Sequence, residues 1–139
     1  MNQTTNYSEE KRFSVIKRFQ SLTHASRGLW VLVRTQHNFW VHIAVSIVVI
    51  ILGCYFKVNT AEWAILIFSM GFVMASEAFN SAIEIDIDLT SPDFHPYARD
   101  TKDVAAGAVL IAFITSAVIY AIVFIPRLIT MAKEYGLLN

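Results

Sequence analysis

Apolar residues run almost unbroken through three stretches of this chain and recur at helical spacing through a fourth. Residues 39–56 read FWVHIAVSIVVIILGCYF, apolar along their length with aromatic rings at both ends. About 20 such residues cross the hydrocarbon of a bilayer, and aromatic rings prefer its interfaces, so this stretch is expected to span a membrane. Residues 61–83, which include Trp63, and residues 104–125 (VAAGAVLIAFITSAVIYAIVFI) form a second and a third span. The turn Lys57-Val-Asn-Thr-Ala joins the first two. Residues 86–103 read as a polar loop; with Pro92 and Pro96 inside it, the second helix is expected to end near Leu89. Pro126 is expected to stop the third run, leaving a short amphipathic tail.

Ahead of the spans, residues 8–27 predict an amphipathic helix. Phe13, Ile16, Phe19 and Leu22 recur at about helical spacing, flanked by Lys11, Arg12, Lys17 and Arg18. Ser8 suits an N-cap, and Glu9 and Glu10 suit the positive end of the helix dipole. An apolar stripe bordered by bases belongs in a membrane interface. The competing reading, a surface helix of a soluble domain, loses weight to the three spans that follow. The expected fold is therefore an all-α membrane protein in one domain: an N-terminal amphipathic surface helix and three transmembrane helices. The N-terminal residues lack the early apolar core of a cleaved leader, so the first span is expected to direct insertion.

Composition narrows the function classes. The 139 residues are 55% hydrophobic, with 11 basic and 11 acidic side chains and a net charge of zero. No basic block points to nucleic acid. The single cysteine, Cys54, lies in an apolar run and reads as a small core filler, and no Cys/His spacing suits zinc. All the bases except Lys57, Arg127 and Lys133 fall before the first span or between the second and third. That asymmetry puts the N-terminus and the 86–103 loop on the cytoplasmic side. Ala105, Ala106, Gly107 and Ala108 allow another helix to approach closely. Three spans can hide little polar surface from lipid, so an oligomer is expected.

The candidate chemistry sits where the second span ends. Glu77, Asn80 and Glu84 are spaced to share one helical face, and Asp88 extends that stripe by a further turn. Ionisable groups near hydrocarbon depth are costly and rarely face lipid, so the stripe needs a partner. Lys102 and Asp103 precede the third span and bring Glu77, Asn80, Glu84, Asp88, Lys102 and Asp103 toward one membrane face. Carboxylate and amide oxygens suit a hard cation such as Mg²⁺, and a lysine suits a phosphate oxygen. On spacing alone, simple ion pairing with Arg99 and Lys102 is the alternative. His42 and His95 read as packing or interfacial residues. No Walker A sequence or kinase glycine-rich loop occurs, so any nucleotide site must be of another kind.

The segment EAFNSAIEIDIDLTSPDFHPYARDTKDVAAGAVL closely resembles the prokaryotic diacylglycerol kinase family, which includes the undecaprenol kinases. The ExxNxxIE pattern, an aspartate four residues on, and a Lys-Asp pair before an Ala/Gly-rich helix occur in order. Ser21-Leu-Thr-His-Ala-Ser-Arg-Gly28 and Asn38-Phe39 with His42 resemble the family's entry region, and the likeness covers about residues 10–126. It implies a homotrimer in the bacterial inner membrane, with active sites between subunits at the cytoplasmic interface. ATP with Mg²⁺ would donate its γ-phosphate to a lipid hydroxyl. By this resemblance Glu77 is the candidate general base, and Glu84, Asn80 and the residue at 36 belong to the metal site. Lys102, Asp103, Asp88 and an N-terminal base, Lys17 or Arg18, serve the nucleotide. One departure stands out: Gln36 occupies a position where the family usually carries a metal-binding glutamate. Glutamine keeps an oxygen donor and removes the charge, which should weaken Mg²⁺ binding.

The leading expectation is thus a lipid kinase acting on diacylglycerol or undecaprenol, between which nothing in the sequence decides. The alternatives are a catalytically weak or inactive relative and a small non-enzymatic oligomer, such as an ion channel. A channel would carry polar residues through the depth of its spans, whereas polarity here gathers at one end.

Overall fold

The structure, a computed structural model, describes residues 15–137, with side chains from residue 19 onward. Four helices follow one another: α1 (Val15–Thr35), α2 (His37–Tyr55), α3 (Thr60–Thr90) and α4 (Pro96–Glu134). The last three are long and apolar enough to cross a membrane. The chain divides into two compact units, Met1–Val31 and Leu32–Asn139.

In the first unit α1 begins inside the expected 8–27 helix and runs on past residue 27 to Thr35; residues 8–14 lie outside the described residues. Phe19, Leu22, Leu29 and Trp30 are all exposed on it. A helix that shows its apolar stripe to the outside is suited to an interface.

In the second unit α3 packs along α4, and α2 packs against α3 over a smaller face. Turn chemistry sets the α2–α3 reversal. Lys57 takes the left-handed conformation (φ 50°) just past the end of α2. The Val58 amide reaches back to the Gly53 carbonyl (3.1 Å) and the Lys57 amide to the Cys54 carbonyl (3.3 Å), the pattern of a Schellman cap. Asn59 then caps α3. Its Oδ1 accepts from the Glu62 amide at 3.0 Å, and Glu62 Oε2 accepts from the Asn59 amide at 2.8 Å. Val49, Val58, Leu66, Met70, Val123 and Phe124 form the core beside this turn. Gly53 is needed there: a Cβ on it would stand 2.6 Å from the ring of Trp63.

Three contacts fix the antiparallel register of α3 and α4. Arg127 Nη2 donates to both oxygens of Glu62 at 2.8 Å, Ser116 Oγ donates to the Ser69 carbonyl at 3.1 Å, and Lys102 Nζ donates to Asp88 Oδ1. Glu62 and Glu84 lie roughly 33 Å apart along α3 at 1.5 Å per residue, about the thickness of bilayer hydrocarbon. The two polar ends of the pair are thus separated by one membrane's depth.

Two boundaries differ from expectation. The stretch 86–103 is helical except for 91–95: α3 ends at Thr90, close to the expected Leu89, but α4 already starts at Pro96. Pro96 stands at the first helical position, where its fixed φ suits a helix and no N–H is missed. Pro126 does not end α4, which continues to Glu134. The missing N–H of Pro126 leaves the Ile122 carbonyl without a helical donor, and one turn on Arg127 Nη1 donates to the Val123 carbonyl at 2.6 Å. Of the four small residues named for close packing, Ala105 is buried, Gly107 is half-buried, and Ala106 and Ala108 are exposed. The small residues along the buried face of α4 are Ala105, Ala112 and Ser116.

Candidate functional site

The buried face of α3 changes character along its length. Leu66, Ser69, Met70 and Val73 are its first buried residues, and Glu77, Asn80 and Ser81 are the next. These positions follow a three-four spacing, so one seam carries the apolar core at one end and the acidic site at the other. Glu77 is 2% exposed and Asn80 is 7% exposed. Asn80 Nδ2 donates to Glu84 Oε1 at 3.0 Å, bridging one helical turn. That bond leaves Asn80 Oδ1 buried and without a protein partner among the described residues, and Ser81 Oγ is in the same state. The α3–α4 register puts Glu77 at about the level of the buried Ala112.

Ion pairing explains only the outer part of the cluster. Asp88 pairs with Lys102, and Asp103 faces Arg99 at 3.6 Å one turn away on α4. Both pairs are largely exposed, so each adds little to stability. Among the described residues neither Glu77 nor Glu84 has an ionic partner. Beyond the pairs lies a pocket of about 390 Å³ between the ends of α3 and α4. Asp88, Asp93, His95, Arg99, Lys102 and Asp103 are among its lining residues. Asp93 and His95 were not singled out as site residues from the sequence; the only sign was their place between two prolines in the shortened connection.

Gln36 occupies the break between α1 and α2. It is the N-cap of α2, with extended backbone (φ −102°, ψ 108°), and its side chain makes no capping bond. α2 and α3 are antiparallel, with Gly53 against Trp63 and His42 lining one cavity with Val73. Continuing that register for six residues brings Gln36 to about the level of Asn80. The amide of Gln36 is half-buried at that level. Lys17 falls within the α1 backbone, and its side chain lies outside the described residues.

The donor set fits a hard divalent cation in one respect and falls short in another. An orphaned amide oxygen on Asn80, the Glu84 carboxylate one turn on and the Glu77 carboxylate are oxygen donors of the kind Mg²⁺ takes. Among the described residues no three His, Cys, Asp or Glu side chains converge closely enough to enclose a metal. Such a site would supply part of a coordination shell, as when a cation is shared with substrate phosphates.

Three membrane-length helices with a buried carboxylate–amide seam at one end and a basic–acidic pocket beyond it define a helical membrane protein with a polar site near one interface. The particular family follows from comparison. The profile of the family described as prokaryotic diacylglycerol kinase matches residues 23–124. The chain is 36% identical over 121 residues to the undecaprenol kinase of Bacillus subtilis (strain 168), covering 87% of this chain and 98% of that protein. It is 31% identical over 112 residues to the diacylglycerol kinase of Synechocystis sp., covering 80% of this chain and 64% of that protein. A diacylglycerol kinase of Helicobacter pylori (strain J99) is 31% identical over 102 residues, 73% of this chain and 80% of its own length. The chain belongs to the prokaryotic diacylglycerol kinase family, a family of membrane lipid kinases.

Proposed function

We propose that this protein transfers the γ-phosphate of ATP to the hydroxyl of a membrane lipid, undecaprenol or diacylglycerol, at the cytoplasmic face of the bacterial inner membrane. The observation that carries the reading is the seam of α3, where Glu77 is buried without an ionic partner and Asn80 keeps an orphaned oxygen beside Glu84. Burying such groups costs stability unless a ligand completes them. The match along nearly the whole Bacillus subtilis undecaprenol kinase favours the polyprenol as acceptor.

Each residue then has a task. Glu77 takes the proton of the lipid hydroxyl as its oxygen bonds to the γ-phosphorus and the bond to the departing ADP breaks. Glu84, Asn80 and Gln36 are the residues that would hold Mg²⁺, which when bound would supply charge neutralisation to the phosphate oxygens. Lys102, positioned by Asp88, contacts the nucleotide phosphates, with Asp103 contributing at the same end, and the family resemblance assigns Lys17 to the nucleotide as well. The described residues of one chain do not enclose the site, which supports an oligomer with sites between subunits, a homotrimer by the family resemblance. Phosphoryl transfer asks for positioning and charge neutralisation more than for covalent chemistry, and a short list of oxygens and one lysine provides both.

The test is transfer from radiolabelled ATP in mixed micelles with Mg²⁺, offering undecaprenol and diacylglycerol separately. One phospholipid product is expected. No product from either lipid overturns the reading, and product that survives Glu84→Gln unchanged overturns the assigned metal site.

A further inference from the structure

Ser81 is the one group on the α3 seam that no role above uses. It is 3% exposed, and its Oγ has no hydrogen-bond partner among the described residues. Helical hydroxyls normally donate to a carbonyl one turn earlier, and others in this chain do. In α3 itself Ser76 Oγ donates to the Phe72 carbonyl at 2.9 Å and Thr90 Oγ1 to the Asp86 carbonyl at 2.8 Å. Ser81 makes no such bond to the carbonyl of Glu77. A buried hydroxyl kept free of local bonds is a donor held for something else.

Its position says what that something is. Ser81 lies four residues after Glu77 on the buried face, which places the two Cβ atoms about 5–6 Å apart. Side chains at that spacing can reach one shared group, so a single alcohol oxygen can meet both. An independent feature approaches the same point from the membrane side. A cavity of about 230 Å³ lies between α2, α3 and α4, lined by His42, Val45, Met70, Val73, Phe113 and Tyr120 among others. Val73 is one turn before Glu77 and about two before Ser81, so the cavity reaches to about one turn below Glu77.

We infer that Ser81 is an acceptor-binding residue: its hydroxyl donates to the oxygen of the lipid alcohol, whose proton goes to Glu77 and whose first apolar segment fills the cavity below. The inference rests on the lipid-kinase reading. Its stoichiometry is complete. An alcohol oxygen has one proton and two lone pairs. Glu77 takes the proton, Ser81 donates to one lone pair, and the other lone pair attacks the γ-phosphorus as the bond to ADP breaks.

The test compares wild type, Ser81→Ala and Ser81→Thr in the mixed-micelle assay, with KM measured separately for lipid and for ATP. For Ser81→Ala the expected result is a roughly tenfold rise in lipid KM, or an equal loss in kcat/KM for lipid, the size of one lost neutral hydrogen bond. The KM for ATP should move less than twofold, and Ser81→Thr should recover most of the loss. An unchanged lipid kcat/KM in Ser81→Ala overturns the inference. So does an equal rise in both KM values, which would mark a structural role, and so does failure of threonine to rescue a folded protein. A wild type that phosphorylates neither lipid removes the kinase reading itself, an outcome distinct from a working enzyme indifferent to Ser81.

Discussion

Replacing Glu77 by leucine should make the protein more stable and abolish its chemistry at once. Glu77 is 2% exposed, continues the seam of Leu66, Met70 and Val73, and has no ionic partner among the described residues. Leucine is similar in size, so repacking should cost less than about 1.5 kcal/mol. Between helices in lipid the transfer of apolar area from water is not a driving force, so that gain drops out. What remains is relief of a buried polar group lacking its partner, about 1–3 kcal/mol. Taken at mid-range, about 2 kcal/mol gained against about 1 lost, the net expectation for Glu77→Leu is a gain of about 1 kcal/mol. Loss of the proton acceptor should cost a factor of about 10²–10⁴ in turnover, or roughly 3–5 kcal/mol in the barrier. Stability and activity therefore move in opposite directions, as expected where a strained group is kept for function. The measurement is unfolding of the detergent-solubilised protein followed by tryptophan fluorescence, with phosphoryl transfer assayed on the same preparations. Glu77→Gln serves as control, with activity lost and stability near wild type. A leucine variant less stable than wild type would show that Glu77 holds the helices through a partner. A variant that keeps activity within a factor of ten would remove Glu77 from proton transfer.

Other expectations follow from single contacts. Gly53→Ala should lose about 1 kcal/mol in the same unfolding experiment, because the new Cβ at 2.6 Å from the Trp63 ring costs more in overpacking than the helix gains from alanine. Arg127→Met should lose about 1–2 kcal/mol by leaving the Glu62 carboxylate and the Val123 carbonyl without their shared donor. The loss should shrink in Glu62→Gln, a comparison best made as a double-mutant cycle. Lys102→Met should raise the KM for ATP at least tenfold while moving lipid KM little, and equal effects on both would detach Lys102 from the nucleotide. Gln36→Glu should lower the Mg²⁺ concentration for half-maximal activity several-fold, and an unchanged or higher requirement would exclude position 36 from the cation's surroundings.

The spans and the acidic stripe were legible in the sequence because burial in lipid and helical period both act on every third or fourth residue. So was the end of α3, expected near Leu89 and found at Thr90, but the start of α4 and the reach of α1 were not. Hydropathy measures depth in the membrane, and a helix can leave the hydrocarbon without ending. α3 therefore carries Asp86 and Asp88 beyond the apolar run, and α4 begins before it, with Arg99 and Asp103 already one turn apart on its surface. Pro126 closes the apolar run but not the helix: a proline takes away one donor, and α4 carries that loss in its interior. Within the site, residue types identified Glu77, Asn80, Glu84, Asp88 and Lys102. They could not separate the carboxylates already paired with bases from those left waiting. That division is the chemical content of the seam. Asp88 and Asp103 are neutralised by Lys102 and Arg99 near the surface, while Glu77 and Glu84 stay without a base near the buried Asn80 oxygen and the Ser81 hydroxyl. A protein that had only to hide these groups would pair all of them. Leaving the inner ones incomplete is the arrangement expected if a cation, a phosphate and an alcohol are what complete them.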